Sequence, residues 1–403
     1  MRLANAETSV VLPLVSIVIT NFNYARFLAA AVNSVWRQTY PNIECVIVDD
    51  ASTDGSATEI EKIASARPET KIVINKNNSG QTFSSYAGFV ASRGEFILFL
   101  DADDILLDNA VATHVFVHLS SRVHAGFTTC DMLQTLDDRV MTGASFPQPC
   151  ATRIGSSGHG LLRRIDSATS GVWPSAIAVP NTIEDRVCYL AVADAARKFF
   201  APTSGNCFRR DALALFLDDE SPMSLRLNTD VYIREAIFLF TGAIAIDLPL
   251  FVYRVHGGNG FTKYPDLLNR RTICPASDLM TRKIANRAIA DRLAGKASFF
   301  LANFGYPVFR EALQALLIDV AIAAPSDSDA FARYLFERLK ANAEAIRPHC
   351  APAEFARLFD RPSYASTGPN NRPQKLAAEF LRTAGKALRS SYLSALGERL
   401  WRA

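Results

Sequence analysis

The sequence predicts an α/β protein: an open, mostly parallel sheet with flanking helices, followed by a helical C-terminal region. Three observations carry that expectation. Short apolar, β-branched runs at Val15–Thr20, Ile43–Asp50 and Phe96–Asp104 each end in polar residues. Between them lie stretches with apolar residues at helical spacing. Beyond about Asp266 the pattern is helical to the end. Short unbroken apolar runs suit strands covered on both faces, as in a parallel sheet.

After the first strand, Tyr24–Gln38 carries Phe27, Leu28, Ala31, Val32 and Val35 on one helical face and closes at Tyr40–Pro41. Past Ile43–Asp50, Ser52 or Asp54 can cap a helix running through Ser65. Lys71–Ile74 reads as a short strand, and Thr82–Ser92 as a helix stopped by Gly94. This is a βαβαβ order, whose ligands bind beyond the carboxyl ends of the strands. The three polar clusters should therefore converge on one crevice. From about Val123 the rhythm changes. Gly126–Leu136 and Arg139–Thr142 suggest a strand pair turning at Asp137–Asp138. Pro147–Pro180 reads as loops, Asp211–Leu217 and Thr229–Phe240 as helices, and Ala243–Arg254 as strand–turn–strand.

Composition narrows the classes. With 49% hydrophobic and 21% charged residues the chain is a folded protein, not a disordered one. A net charge of +3 without a basic stripe argues against a nucleic-acid partner. Seven scattered cysteines with no CxxC pair suit free thiols in a reducing compartment. The N-terminus lacks the shape of a signal peptide, and Glu311–Pro325, interrupted by Asp319, is too short to span a membrane. The expected location is cytoplasmic. Lys375–Arg402, basic and amphipathic, would allow peripheral contact with the inner face of the cell membrane. The same stripe could instead pack on the protein or in a homo-oligomer.

Chemistry concentrates in two clusters. Leu100-Asp101-Ala102-Asp103-Asp104 gathers carboxylates that repel one another unless a cation or donor groups neutralise them. Mg²⁺ or Mn²⁺ takes one or two protein carboxylates plus phosphate oxygens, and so could bridge a diphosphate. The competing reading is that Asp103 or Asp104 caps a helix through Val117. Asp49-Asp50-Ala51-Ser52-Thr53-Asp54 follows the second strand, where a fixed carboxylate can hold a nucleobase imide or a ribose.

Together, Val15–Ser56, Asn77–Gln81 and Gly94–Asp104 resemble glycosyltransferase family 2, of the GT-A fold. The resemblance is clear from Val15 to about Val117. It implies a Rossmann-like sheet, an inverting mechanism, a nucleotide-sugar donor and a saccharide or lipid-linked saccharide acceptor, in bacterial surface polysaccharide or glycolipid synthesis. By that resemblance Thr20, Asn21, Asn23 and Asn78 lie beside the nucleotide, and Asp50 meets the base, UDP or dTDP being favoured. Asp101 and Asp103 form the Asp-x-Asp pair, one toward ribose and metal, the other a metal ligand; Asp104 is the alternative by one register step. Relatives often carry Ala-Arg-Asn where this chain has Ser84-Ser85-Tyr86, so that donor contact is in doubt.

The later half resembles the family in Ser204-Gly205-Asn206, Thr229-Asp230 and Tyr253-Arg254-Val255-His256. It implies Asp230 as the base that deprotonates the acceptor hydroxyl, with Thr229 where relatives have Glu. Asp230 could also be a simple i,i+4 partner of Arg234. His256 would complete the metal shell or touch the diphosphate, or else be structural, and Arg254 would meet phosphate. His159 and Trp173-Pro174 are candidates for the acceptor side. The domain expectation is a transferase domain over 1–265, its donor half 13–120 and its acceptor and catalytic half 121–265, with a helical region over 266–403. The alternatives are a sugar nucleotidyltransferase, for which NFNYARFL offers no Gly-rich phosphate loop, and a binding protein on a decayed transferase domain.

Overall fold

The computed structural model describes residues 11–140, 160–165, 172–193, 200–218, 225–226, 228–259 and 275–359. His159 and Lys375–Arg402 lie outside them. The chain divides into two compact units, Met1–Leu190 with Phe199–Thr281, and Ala191–Lys198 with Arg282–Ala403.

The first unit is built on one mixed sheet. Its parallel core is β1 (Val15–Asn21), β2 (Ile43–Asp49), β3 (Lys71–Ile74) and β4 (Phe96–Asp101), in the order β3-β2-β1-β4. Residues of β1, β2 and β4 are almost all buried on both faces, which is why their sequences run apolar instead of alternating. The joining helices are α1 (Ala25–Trp36), α2 (Ser56–Ala66) and α3 (Gln81–Ala91), as the periodicity predicts.

After β4 the chain makes a two-residue strand, β5 (Ile105–Leu106), before α4 (Ala110–Ser120). Asp103 and Asp104 therefore do not cap a helix; Asn109 stands at that position. Next come β6 (Phe127–Leu136) and β7 (Arg139–Val140), with Asp137 and Asp138 at φ 48° and 60° in the tight turn between them. Beyond β8 (Val187–Leu190), β9 (Asn206–Arg209) and α5 (Arg210–Ala214) lead to α6 (Thr229–Thr241) and β10 (Ala243–Val255). The sheet continues β4-β9-β6-β10-β5, with β9 antiparallel to both its neighbours.

The expected strand–turn–strand over Ala243–Arg254 is instead one thirteen-residue strand. Its register against β6 shifts between Ile246 and Pro249 and again before Phe251. Pro249 lacks an N–H for the ladder, and the irregularity absorbs it without ending the strand.

The second unit is helical: it holds α7 (Pro275–Gly295) from Arg282 onward, then α8 (Ala297–Ala323), α9 (Ser328–Ala341), α10 (Ala343–Ile346) and α11 (Pro352–Phe359). Phe300, Phe309, Leu316, Phe331 and Leu335 are among its buried residues. A break at Gly305–Pro307 interrupts α8, where Pro307 cannot complete the helical bond. No described helix is long and apolar enough to cross a membrane.

Candidate active site

Parallel pairing aligns the strand ends. Thr20 of β1 faces Val48 of β2 on one side and Asp101 of β4 on the other, while Asn21 faces Asp49. The three polar clusters thus meet at one sheet edge. What each residue does there differs from what the sequence suggests.

Asn21 is buried, and its Nδ2 donates to Asp49 Oδ1 at 2.6 Å, with Ser56 Oγ at 3.0 Å and Ser52 Oγ at 3.2 Å. It ties the first two strand-end loops together, so its amide donors are committed away from a nucleotide. Asn23, at φ 60°, accepts from the Thr53 N–H at 2.7 Å and is exposed. Thr20 is partly exposed at its strand end. Asp54 accepts from Ala25 N and Ser56 N, first-turn donors of α1 and α2, and the Ser56 hydroxyl together with those amides holds its carboxyl below the usual range.

Asp50 is buried and accepts three hydrogen bonds. Its Oδ1 accepts from Asn75 Nδ2 at 2.8 Å and Ser79 N at 3.0 Å, and its Oδ2 from Gly80 N at 2.7 Å. The carboxylate thereby fixes the loop before α3. Gly80 needs to be glycine: its φ is +92°, and a Cβ there would lie 2.7 Å from the Arg226 carbonyl oxygen. Asn78 in that loop accepts from Arg226 Nη2 at 2.5 Å.

The acidic cluster splits by environment. Asp101 is partly exposed and accepts from Gln81 Nε2 at 3.1 Å. Burial, then the charges of Asp103 and Asp230, push its carboxyl up to about 7. Asp103 Oδ2 lies 3.1 Å from His256 Nε2 and 3.4 Å from Asn259 Nδ2. The His256 ring also packs on Phe27, with centroids 4.5 Å apart. It forms one wall of a cavity of about 500 Å³, together with the Phe22–Arg26 segment.

Asp104, the alternative by one register step, lies deeper. It is 1% exposed, its Oδ2 accepting from Ser204 Oγ at 2.6 Å and its Oδ1 from the Arg254 N–H at 3.4 Å. Burial and the neighbouring acids raise its carboxyl well above the usual range. These bonds brace the turn.

Arg254 lies beneath the same turn. Its guanidinium is buried, with Nε donating to Asp103 O at 2.5 Å and Nη2 to Phe27 O at 3.1 Å, and it stacks over the Phe27 ring. Trp173 departs from its expected place. It is 3% exposed, stacks on Tyr40 and donates to the Ile177 carbonyl, which makes it core instead of an acceptor platform.

Asp230 stands in the first turn of α6, close enough to raise Asp101. Its Oδ2 is 3.1 Å from Arg234 Nη1. Arg234 is no surface partner: it is buried, donates to the Ala201 carbonyl and lies over the Phe200 ring. The expected Ser-Gly-Asn strand is a short 3-10 turn over Thr203–Gly205 that leads into β9 at Asn206, and it supplies the support. Ser204 bridges Asp104 and the Asp101 N–H. Gly205 leaves room, since a Cβ there would lie 2.3 Å from Ala201 Cβ and 2.7 Å from the Phe251 ring. Asn206 Nδ2 holds the Ala201 and Pro202 carbonyls.

Asn259 and Arg226 carry no spacing in the sequence that would reveal them, and Gln81, the last residue of the Asn77–Gln81 stretch, opens α3 with its amide toward Asp101. Among the described residues, no three His, Cys, Asp or Glu side chains form a ready metal cage. A Mg²⁺ or Mn²⁺ ion completed by phosphate oxygens does not need one. The mutually repelling Asp101 and Asp103 on one turn fit that mode.

Residues 16–121 match the family described as Glycosyl transferase family 2. An uncharacterized glycosyltransferase of Nostoc sp. is 30% identical over 61% of this chain and 66% of its own length. An Escherichia coli protein named UDP-Glc:alpha-D-GlcNAc-diphosphoundecaprenol beta-1,3-glucosyltransferase WfaP is 32% identical over 42% of this chain and 63% of its own. The chain thus spans less than two thirds of the length of either relative. A solved structure of S. aureus TarS 1-349 in complex with UDP matches at TM-score 0.44 and 16% identity, over 86% of this chain and 90% of that one.

Proposed function

We propose, from the match of residues 16–121 to glycosyl transferase family 2, that the chain moves a sugar from a nucleoside diphosphate to a saccharide or lipid-linked saccharide hydroxyl, with inversion. The observation that carries this reading is that the first turn of α6, which bears Asp230, the partner of Arg234, is joined through Thr229 and Thr82 to the start of α3, where Gln81 bonds Asp101. Donor-side acids and a paired carboxylate on α6 thus share one space.

In this reading Asp230 takes the proton of the acceptor hydroxyl as its oxygen attacks the anomeric carbon. The bond from that carbon to the diphosphate oxygen breaks on the opposite face, and the nucleoside diphosphate departs. Asp101 and Asp103 would hold a Mg²⁺ or Mn²⁺ ion, which when bound neutralises charge building on the leaving diphosphate. Arg234, a buried partner 3.1 Å away, holds the Asp230 carboxylate in place. His256, beside Asp103, either completes that ion's shell or meets the diphosphate. Thr20, Asn23 and the loop carrying Asn78 would flank the nucleotide, with Asp50 acting by fixing that loop. A lipid diphosphate-linked acceptor and a UDP-sugar donor are supported by the activity for which the WfaP relative is named.

The test is a transfer assay with Mn²⁺, a panel of UDP- and dTDP-sugars, and free or lipid diphosphate-linked saccharides, with the product anomer read by NMR. Metal-dependent release of nucleoside diphosphate coupled to an inverted linkage is expected. A retained anomer, or full turnover in EDTA, would refute the mechanism.

A further inference from the structure

The substitution of Thr229 for the family's Glu has no role in the reaction just described, yet its surroundings are specific. Thr229 is 2% exposed, and its Oγ1 lies 2.7 Å from Oγ1 of Thr82, which is 0% exposed. Thr82 belongs to the first turn of α3 and Thr229 to the first turn of α6. That turn of α6 starts at Asn228, in the left-handed region at φ 59° and with no side-chain cap.

A second contact joins the same two places. Gln81 N donates to the Arg226 carbonyl at 2.9 Å, and Arg226 Nη2 reaches back to the Asn78 carbonyl at 3.0 Å. The short segment 78–82 therefore touches three things. It caps Asp50 through Ser79 and Gly80, bonds Asp101 through Gln81, and grips the start of α6 through Thr82.

We infer that the Thr82–Thr229 hydroxyl pair is a positioning device that sets Asp230 relative to the donor-side acids. Thr229 is not catalytic; it acts through Asp230, its neighbour in sequence, and the inference rests on reading Asp230 as the base. A hydrogen bond between two buried hydroxyls fixes the rotation of the first turn of α6 more tightly than apolar contact, because it is directional. Losing it lets the base drift while the donor loop, anchored on Asp50, stays in place.

The test uses the full chain in four forms: wild type, Thr229→Ser, Thr229→Val and the double variant Thr82→Val with Thr229→Val. Thr229→Val should lower kcat about tenfold, with donor KM within about twofold, because a misplaced group costs rate before it costs binding. Thr229→Ser, which keeps the hydroxyl, should stay close to wild type. The double variant leaves no buried hydroxyl unpaired, so its Tm should recover toward wild type, while its kcat stays low. A merely structural pair predicts that kcat recovers along with Tm, and that result overturns the inference. So does wild-type kcat in Thr229→Val.

Hydrogen exchange supplies an arm independent of turnover. Amides of the first turn of α6 should exchange faster in the double variant than in wild type, and unchanged exchange also overturns the inference. A wild type that transfers nothing under any condition would instead sink the reading of Asp230 as base.

Discussion

Asp104 accepts the Ser204 hydroxyl at 2.6 Å deep in the fold, whereas Asp103, one residue earlier, meets His256 beside the cavity. Asp103→Asn should therefore weaken Mn²⁺-dependent UDP binding by at least about tenfold, since it removes a ligand charge. Asp104→Asn keeps an oxygen for Ser204 and should leave that affinity within about threefold. Isothermal titration of both variants with UDP and Mn²⁺ checks this, and equal losses would contradict the assignment. That Asp101 and Asp103 stand at a strand end was legible from the apolar run before them. That Asn21, Asp50 and Arg254 are committed internally was not. Their partners, Ser52 and Ser56, the Ser79 and Gly80 amides, and the Asp103 carbonyl, come from segments whose approach depends on the folded sheet.

At the scale of elements, α4 carries two imidazoles, His114 buried and His118 partly buried. His114 Nδ1 lies 2.7 Å from Thr128 Oγ1, and burial lowers its pKa to about 3; His118, bonded to the Cys207 carbonyl, falls to about 4. Both stay neutral in the fold and gain protons on unfolding below their ordinary value of 6.5. Their contribution to stability is complete above that value and is lost as pH falls toward the folded values. The raised carboxyls of Asp101 and Asp104 act in the opposite sense, because the fold takes up their protons first. A difference measurement isolates the imidazole. Relative to wild type, His114→Gln should gain about 1.4 kcal/mol per pH unit as pH drops from 6 to 4, read from urea unfolding at each pH. A pH-independent difference would contradict a neutral buried His114. The parallel strands and their helices were legible because burial on both faces writes itself into composition. The unbroken β10 was not, because Pro249 reads as a turn until β6 is seen absorbing the register shift.

At the scale of the molecule, every residue proposed for the reaction lies in the unit formed by Met1–Leu190 and Phe199–Thr281. The sequence motifs run through most of that unit, from Val15 to His256, while the helical unit carries none. Bound nucleotide should stabilise this assembly only when its metal is present. UDP at about one hundred times its Kd adds about 2.7 kcal/mol to unfolding, visible as a raised Tm with Mn²⁺. Addition of EDTA should abolish most of that rise, and an equal rise without metal would contradict the proposed role of Asp101 and Asp103.

The central claim is that a base on α6 serves a donor site at the ends of β1, β2 and β4. Its most direct test is the single-turnover transfer rate of Asp230→Asn, measured beside the Kd for donor with Mn²⁺. The rate should fall about 10²–10⁴-fold, with Kd within about threefold of wild type. A rate near that of wild type would show that the proton goes elsewhere and that Asp230 serves only as the ion-pair partner of Arg234.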